Sequence, residues 1–227
     1  MYDYLSKYYN QIFQFNPSIN TWIKPFTTVH GHAIDLGCGT GRLTKSIADF
    51  DMHVVGIDLD SYMIDMAKTD YPHLEFRVEN MLESFNSDQM YDLITCFGNT
   101  IVHLDFQSIH DFFIMMKKSL NHGGKIIIQT LNYDQILIDK PQELKPIENQ
   151  TLKFNRYYTY HDNSITFGTS LYVEGKHFTG STLIYPYVMH TFKSISEQTG
   201  FKLSTYGDLI LDIVTPHTNH VYYVFEV

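Results

Sequence analysis

The sequence predicts an α/β fold: a doubly wound, mostly parallel sheet of seven strands, with a small antiparallel β insertion after the fifth. Three observations predict it. Between residues 33 and 130, short apolar runs alternate with amphipathic stretches, as in βαβ units whose sheet is covered on both faces. A glycine-spaced run, Asp35-Leu36-Gly37-Cys38-Gly39-Thr40-Gly41, joins the first apolar run to the first helical pattern of this region. After Asn132 the texture changes to β-rich runs broken by turn residues.

Taken in order, residues 2–15 read as a helix, because Tyr4, Leu5, Tyr8, Tyr9, Ile12 and Phe13 recur at three- and four-residue spacing. Pro17 ends it, and Ser18 is placed to cap a second short helix to about Phe26. Residues 33–36 are the first strand, followed by a helix over 40–50 with Leu43, Ile47 and Phe50 on one face. Residues 53–57 form the second strand. Ser61 is expected to cap the next helix, which carries Met63, Ile64 and Ala67. The third and fourth strands read as 74–78 and 91–97. Ser108 opens a helix with Ile109, Phe112, Phe113, Met116 and Leu120, which Gly123-Gly124 should stop, and 125–130 is the fifth strand. Three runs, 152–160, 165–173 and 177–185, form the antiparallel insertion. A helix over 187–199 ends at Gly200, and 201–206 with 221–227 supply a closing hairpin.

At 227 residues the chain fits one domain (1–227) with an ample core. Residues 1–28 are expected to act as a helical lid and 151–187 as a substrate cap. The formal charge of -9 speaks against a nucleic-acid partner, which calls for a basic footprint. Only three arginines occur, Arg42, Arg77 and Arg156. Two cysteines make no disulfide framework, and no Cys/His group has zinc spacing, so no metal is expected. His30-Gly31-His32 is the densest histidine pair and lacks further ligands. No apolar run approaches the roughly 18 residues of a membrane span, and the first residues are not a signal peptide. The expected location is therefore cytoplasmic, without a membrane partner; a homodimer is compatible with this reading.

The glycine run carries the most specific information. A dinucleotide fingerprint, G-x-G-x-x-G, would need glycine at position 42, where Arg42 stands. The pattern D-x-G-x-G-x-G instead resembles the first motif of the class I S-adenosylmethionine (SAM)-dependent methyltransferases, a Rossmann-like fold. Asp58 ends the second strand, where a carboxylate can accept both hydroxyls of a ribose; a helix cap is its alternative use. Met63 on the following helix can pack on a purine or fill the core. Glu79-Asn80-Met81 stands where these enzymes often show Gly-Asp-Met, and the Asn80 carbonyl can replace the acid as an acceptor.

Further runs narrow the resemblance. Cys96-Phe97-Gly98-Asn99-Thr100-Ile101-Val102-His103-Leu104, Asn132-Tyr133-Asp134-Gln135-Ile136-Leu137 and Ile184-Tyr185-Pro186-Tyr187 through Phe192 are similar to segments of the glycine N-methyltransferases. The Tyr2-Asp3…Tyr9 opening is similar to that of many small-molecule methyltransferases. The insertion and the His on the fourth-strand loop also resemble aminosugar N,N-dimethyltransferases. The resemblance implies SAM held by Asp35, Gly37, Cys38, Gly39, Gly41, Asp58, Leu59, Met63, Asn80, Met81, Phe97 and Gly98. It implies a small-molecule acceptor lined by Asn99, His103, Asn132, Tyr133 and Arg156. His103 would take the acceptor's proton or anchor its loop, Tyr9 would face the reactive methyl, and Asn132 would assist. Glycine methyltransferases hold a substrate carboxylate with an arginine, for which Arg156 is the sole candidate here. Amine methylation is the leading expectation. Methylation of an oxygen and a non-catalytic SAM-binding role are its alternatives.

Overall fold

The computed structural model describes residues 2–85 and 88–227. Met1, the first residue of the expected lid, lies outside them. Helices α1 (Tyr2–Ile12) and α2 (Ser18–Ile23) precede the alternating core. Then follow β1 (His32–Leu36), α3 (Arg42–Ala48), β2 (His53–Asp58), α4 (Ser61–Asp70), β3 (Glu75–Val78), β4 (Tyr91–Cys96), α5 (Ser108–Lys118) and β5 (Leu120–Leu131). A short helix α6 (Tyr133–Asp139) leads into β6 (Glu143–Glu148), β7 (Leu152–Tyr160), β8 (Ile165–Val173) and β9 (Lys176–Ile184). The chain closes with α7 (Met189–Thr199), β10 (Lys202–Gly207), β11 (Ile210–Leu211) and β12 (His220–Glu226).

The main sheet runs β11-β10-β12-β5-β4-β1-β2-β3. Strands β1 to β5 pair in parallel, and β12 inserts antiparallel between β5 and β10. The expected seven strands are all present, with the two-residue β11 added at one edge. β6 to β9 form a separate four-stranded antiparallel sheet. The central strands read as unbroken apolar runs because both of their faces are covered. Ile126, Ile127 and Ile128 of β5 are all buried. α5 and α7 cover one face with Phe112, Phe113, Met116 and Phe192. α2 and α3 cover the other with Ile19, Ile23, Leu43 and Ile47.

Several local readings are corrected by the structure. Asp60, not Ser61, caps α4, accepting the N–H groups of Tyr62 and Met63. Asp105 holds the first turn of α5 through the N–H groups of Gln107 and Ser108, while the Ser108 side chain makes no cap. Asn16 rather than Ser18 engages the start of α2, accepting the Ser18 N–H at 3.0 Å. Gly123-Gly124 does not stop α5, which already ends at Lys118; the pair lies within β5. The insertion has four strands and begins at Glu143, so β6 and the preceding α6 lie outside the expected 151–187. No helix of the described residues is long and apolar enough to cross a membrane.

Candidate functional site at the carboxyl ends of the central strands

The strand order reverses at β1, whose neighbours are β4 and β2. Ligands of open α/β sheets bind beyond the carboxyl ends of strands at such a switch point. Topology therefore brings the glycine turn, Asp58, the segment after β4 and the start of α6 to one end of the sheet. These segments are far apart in sequence and carry most of the expected site residues.

The glycine turn is tight. Gly37, Gly39 and Gly41 all take the left-handed conformation, with φ of 68°, 54° and 78°. The Gly41 N–H donates to the Cys38 carbonyl at 3.0 Å, and the Cys38 N–H donates to Ile57 at 2.9 Å, tying the turn to β2. A side chain at Gly41 would meet the Phe76 ring at 2.6 Å, and one at Gly37 would collide with Thr100. Gly39 is different. Its added Cβ would find only Tyr9 Cε1, at 3.9 Å, while a Cβ at Gly98 would find the Tyr9 hydroxyl at the same distance. Two glycine faces from two loops therefore open toward one tyrosine ring.

Asp58 joins these pieces. One carboxylate oxygen accepts the Gly39 N–H and the other the Asp60 N–H, both at 2.9 Å. With Leu59 a further backbone donor, the carboxylate still keeps acceptor capacity beyond these bonds. Burial raises the carboxyl's pKa, against hydrogen bonds from the Asp60 and Gly39 backbone. Leu59 beside it is 71% exposed, an apolar surface available to a flat ligand. After the neighbouring strand β3, Asn80 is partly buried and accepts the Leu82 N–H at 3.1 Å; Met81 follows it. Met63 is buried in the fold. The Cys38 thiol is pushed well above its usual range by burial, so it is inert.

Asp35, expected at the cofactor site, is bonded inside the protein. It is 1% exposed and accepts the hydroxyls of Thr44 at 2.7 Å and Thr95 at 2.8 Å. It braces the turn from beneath by linking α3 to β4. Burial pushes its pKa up to about 6. The native state then binds the proton more tightly than the unfolded chain, whose carboxyl titrates near 3.8. Stability from this group is present at low pH and is lost as pH rises from about 4 through about 6. A shift of this size corresponds to about 3 kcal/mol at most. We expect Asp35→Asn to lack this loss. In urea titrations its stability relative to wild type should improve between pH 4.5 and pH 7. A constant difference would contradict the assignment.

The segment after β4 is held by residues that sequence reasoning missed. Gln129 of β5 accepts the Gly98 N–H at 2.8 Å, and the Thr100 hydroxyl donates to the Phe97 carbonyl at 2.7 Å. Asn99, itself left-handed with φ 65°, donates to the Tyr133 hydroxyl at 2.8 Å and accepts the Leu131 N–H at 3.2 Å. Asn99 and Tyr133 are thus brought together as expected, with Tyr133 buried beneath. The Phe97 ring turns into the core and packs on Tyr222 at 5.6 Å. His103 ends a short 3-10 turn and is exposed. Desolvation by nearby protein holds its imidazole below the ordinary value, opposed by the backbone of Leu183.

Asn132, expected to line the acceptor pocket, makes its hydrogen bonds within the protein. Only 5% exposed, it donates to the carbonyls of Thr215 and Thr218, both at 3.1 Å, and accepts the Gln135 N–H at 3.3 Å. Both amide hydrogens and the carbonyl are engaged within the protein. Arg156 lies on the inward face of the insertion, level with Thr169 and in line with buried Phe154 and Tyr158. Its Nη2 donates to the Lys145 carbonyl at 2.8 Å. Its Nε is buried without a partner, and no carboxylate among the described residues pairs with it. The His32 ring lies 5.2 Å from that of His53. With His30 these two line a cavity of about 690 Å³ at the amino ends of the strands, away from the glycine turn.

Residues 33–124 match a protein family described as a methyltransferase domain. The sheet order carries the antiparallel strand beside β5, and the same architecture recurs across whole solved structures. Over residues 33–124 the chain is similar to methyltransferase domains. A SAM-dependent methyltransferase from Clostridium acetobutylicum superposes with a TM-score of 0.84 over 100% of this chain and 98% of its own, at 16% identity. The sugar N-methyltransferase KedS8 from a Streptoalloteichus species superposes with a TM-score of 0.74 over 100% and 92%, at 14% identity. These are likenesses of fold. In sequence, an uncharacterized methyltransferase from Alkaliphilus oremlandii is 28% identical over 118 residues, 50% of this chain and 54% of its own. A ubiquinone biosynthesis O-methyltransferase from Coxiella burnetii is 29% identical over 125 residues, 52% and 51%. The chain spans between about a quarter and a little over half the length of the curated relatives it matches.

Proposed function

We propose that this chain is a class I SAM-dependent methyltransferase that transfers the methyl group of SAM to a small-molecule acceptor, with an amine nitrogen as the target. The observation that carries the reading is the placement of Tyr9: its ring stands against Gly39 of the glycine turn and Gly98 of the β4 loop, beside Asp58. The residues fit the cofactor. Asp58 offers free acceptor positions to a ribose, Leu59 and Met81 an apolar wall to a purine, and Gly39 a backbone without side chain. Bound there, SAM would supply an already activated methyl on a sulfonium.

The protein then has little covalent work to do. Alignment of an incoming lone pair with the methyl accounts for most of the acceleration, on the order of 7–11 kcal/mol. Tyr9 presents a ring face and an oxygen to the cationic centre, an interaction of about 0.5–2 kcal/mol. An amine acceptor must arrive neutral. A histidine with a depressed pKa is neutral at pH 7 and can take the proton, which assigns that role to His103. Arg156, whose Nε is buried without a partner, would hold an anionic group of the acceptor. α1 and the insertion would exclude water as a lid and cap.

The test is a screen of metabolites for S-adenosylhomocysteine (SAH) release, with amines and alcohols, each with and without a carboxylate. Turnover on amines is expected, with Arg156→Met raising KM roughly tenfold or more for carboxylated acceptors alone. Turnover confined to hydroxyls would move the reading to O-methylation, as in the Coxiella relative's name. SAM binding without turnover on any acceptor would contradict catalysis.

A further inference from the structure

We propose that Arg42 is a positioning residue: its guanidinium latches the carboxyl-terminal turn of α1 to the glycine turn and so fixes Tyr9 between Gly39 and Gly98. The inference rests on the methyl-transfer reading for its function, and on contacts alone for the latch. Arg42 is the first residue of α3, immediately after Gly41. Its Nη1 donates to the Phe13 carbonyl at 2.8 Å. Its guanidinium carbon lies 5.6 Å from the Tyr9 ring centroid and 5.8 Å from that of Phe15.

The last carbonyls of a helix lack partners within it and favour a positive charge. α1 has no basic residue in its last turn, so Arg42 supplies that charge from another element. Among the described residues no carboxylate lies within ion-pair distance of it. Its partners are the end of α1 and the two rings. A planar guanidinium can hydrogen-bond at its edge while stacking on an aromatic face, which lysine cannot reproduce.

The two sides of α1 differ in kind. Toward the insertion it is apolar: Leu5, Tyr8 and Ile12 pack with Leu152, Phe154, Leu171 and Val173, and Tyr4 and Tyr8 bond to Thr169 and Glu174 at 2.7 and 2.9 Å. Toward the cofactor turn it is polar, with one contact at each of positions 6, 10 and 13. Ser6 bonds Asp60, the Thr40 hydroxyl donates to Asn10 at 2.8 Å, and Arg42 bonds Phe13. Water can replace polar contacts at little net cost, whereas exposing an apolar face is costly. The seam that opens for cofactor entry is therefore the polar one, and α1 travels with the insertion. Arg42 is the charged member of that seam and its contact nearest Tyr9.

Two measurements test this. The first is hydrogen exchange of the ligand-free protein, in wild type, Arg42→Met and Arg42→Lys. The Phe13 amide, bonded to the Tyr9 carbonyl at 2.8 Å, and its neighbours in α1 should exchange roughly tenfold faster in Arg42→Met. Arg42→Lys should lie between, and β7 to β9 should be unchanged. Unchanged exchange in α1 overturns the latch whether or not SAM binds.

The second is calorimetry with SAM and SAH, which share a carboxylate but differ in the sulfonium charge. Arg42→Met and Tyr9→Leu should both shift the affinity ratio toward SAH. The double variant should go no further than Tyr9→Leu. Equal weakening of both ligands in Arg42→Met would mean direct contact with their common carboxylate and would overturn the positioning role. Wild type binding neither ligand would sink the methyl-transfer reading and the positioning role with it, while the exchange result still decides the latch.

Discussion

Gly39→Val should abolish SAM binding while leaving the fold intact. Its φ of 54° lies in the region where an L-residue costs about 1–2 kcal/mol, which a chain of this size tolerates. An added Cβ itself is accommodated, because the nearest atom to it is Tyr9 Cε1 at 3.9 Å, and any crowding by the methyls beyond it falls on that one ring. The valine methyls would therefore occupy the gap between the turn and Tyr9, where the proposed ligand must lie. A fall in SAM affinity of about a hundredfold or more is expected, equivalent to about 2.8 kcal/mol. Gly41→Val is the matched control. Its Cβ would meet the buried Phe76 ring at 2.6 Å, so strain and overpacking add. Thermal melting should fall by roughly 5–15 °C, with lost binding secondary to lost fold. Normal SAM affinity in folded Gly39→Val would count heavily against the site.

His103→Ala should slow turnover by about 10²–10⁴-fold, the usual worth of a positioned general base, and leave cofactor affinity unchanged. The imidazole is exposed on one side and lies outside the glycine turn, so its removal should cost little stability. Because desolvation lowers its pKa, the neutral form persists below the ordinary histidine value near 6.5. Activity of the wild type should accordingly be lost on acidification at a pH below that value, and His103→Ala should lack this limb. A variant with wild-type turnover would leave His103 as an anchor for the loop after β4.

The order of elements was legible in the sequence because apolar periodicity reports burial, and the central strands and helices are deeply buried. What escaped notice lies where burial is weak. β6 carries Glu143, Lys145, Pro146 and Glu148; such a run reads as a loop. An edge strand tolerates proline because one side of its backbone needs no partner. Helix caps were misplaced by one to three residues at Asp60, Asp105 and Asn16, where an acid or amide outcompetes a neighbouring serine. At the candidate site, motif spacing singles out the turn and Asp58 but cannot separate residues with exposed faces from those that brace the fold. Asp35 and Asn132 belong to the second kind, and only their hydrogen-bond partners reveal it. Ser6, Asn10 and Arg42 carried a helical spacing and a charge, yet their joint role depends on two distant segments meeting.

The central claim is that the space between Gly39, Gly98 and Tyr9 holds the sulfur end of an adenosyl cofactor. A crystal structure with SAH tests it most directly. The sulfur should lie in that gap, the ribose hydroxyls on Asp58 and the purine against Leu59. Density for the nucleoside elsewhere, or a sulfur outside that gap, would contradict the account.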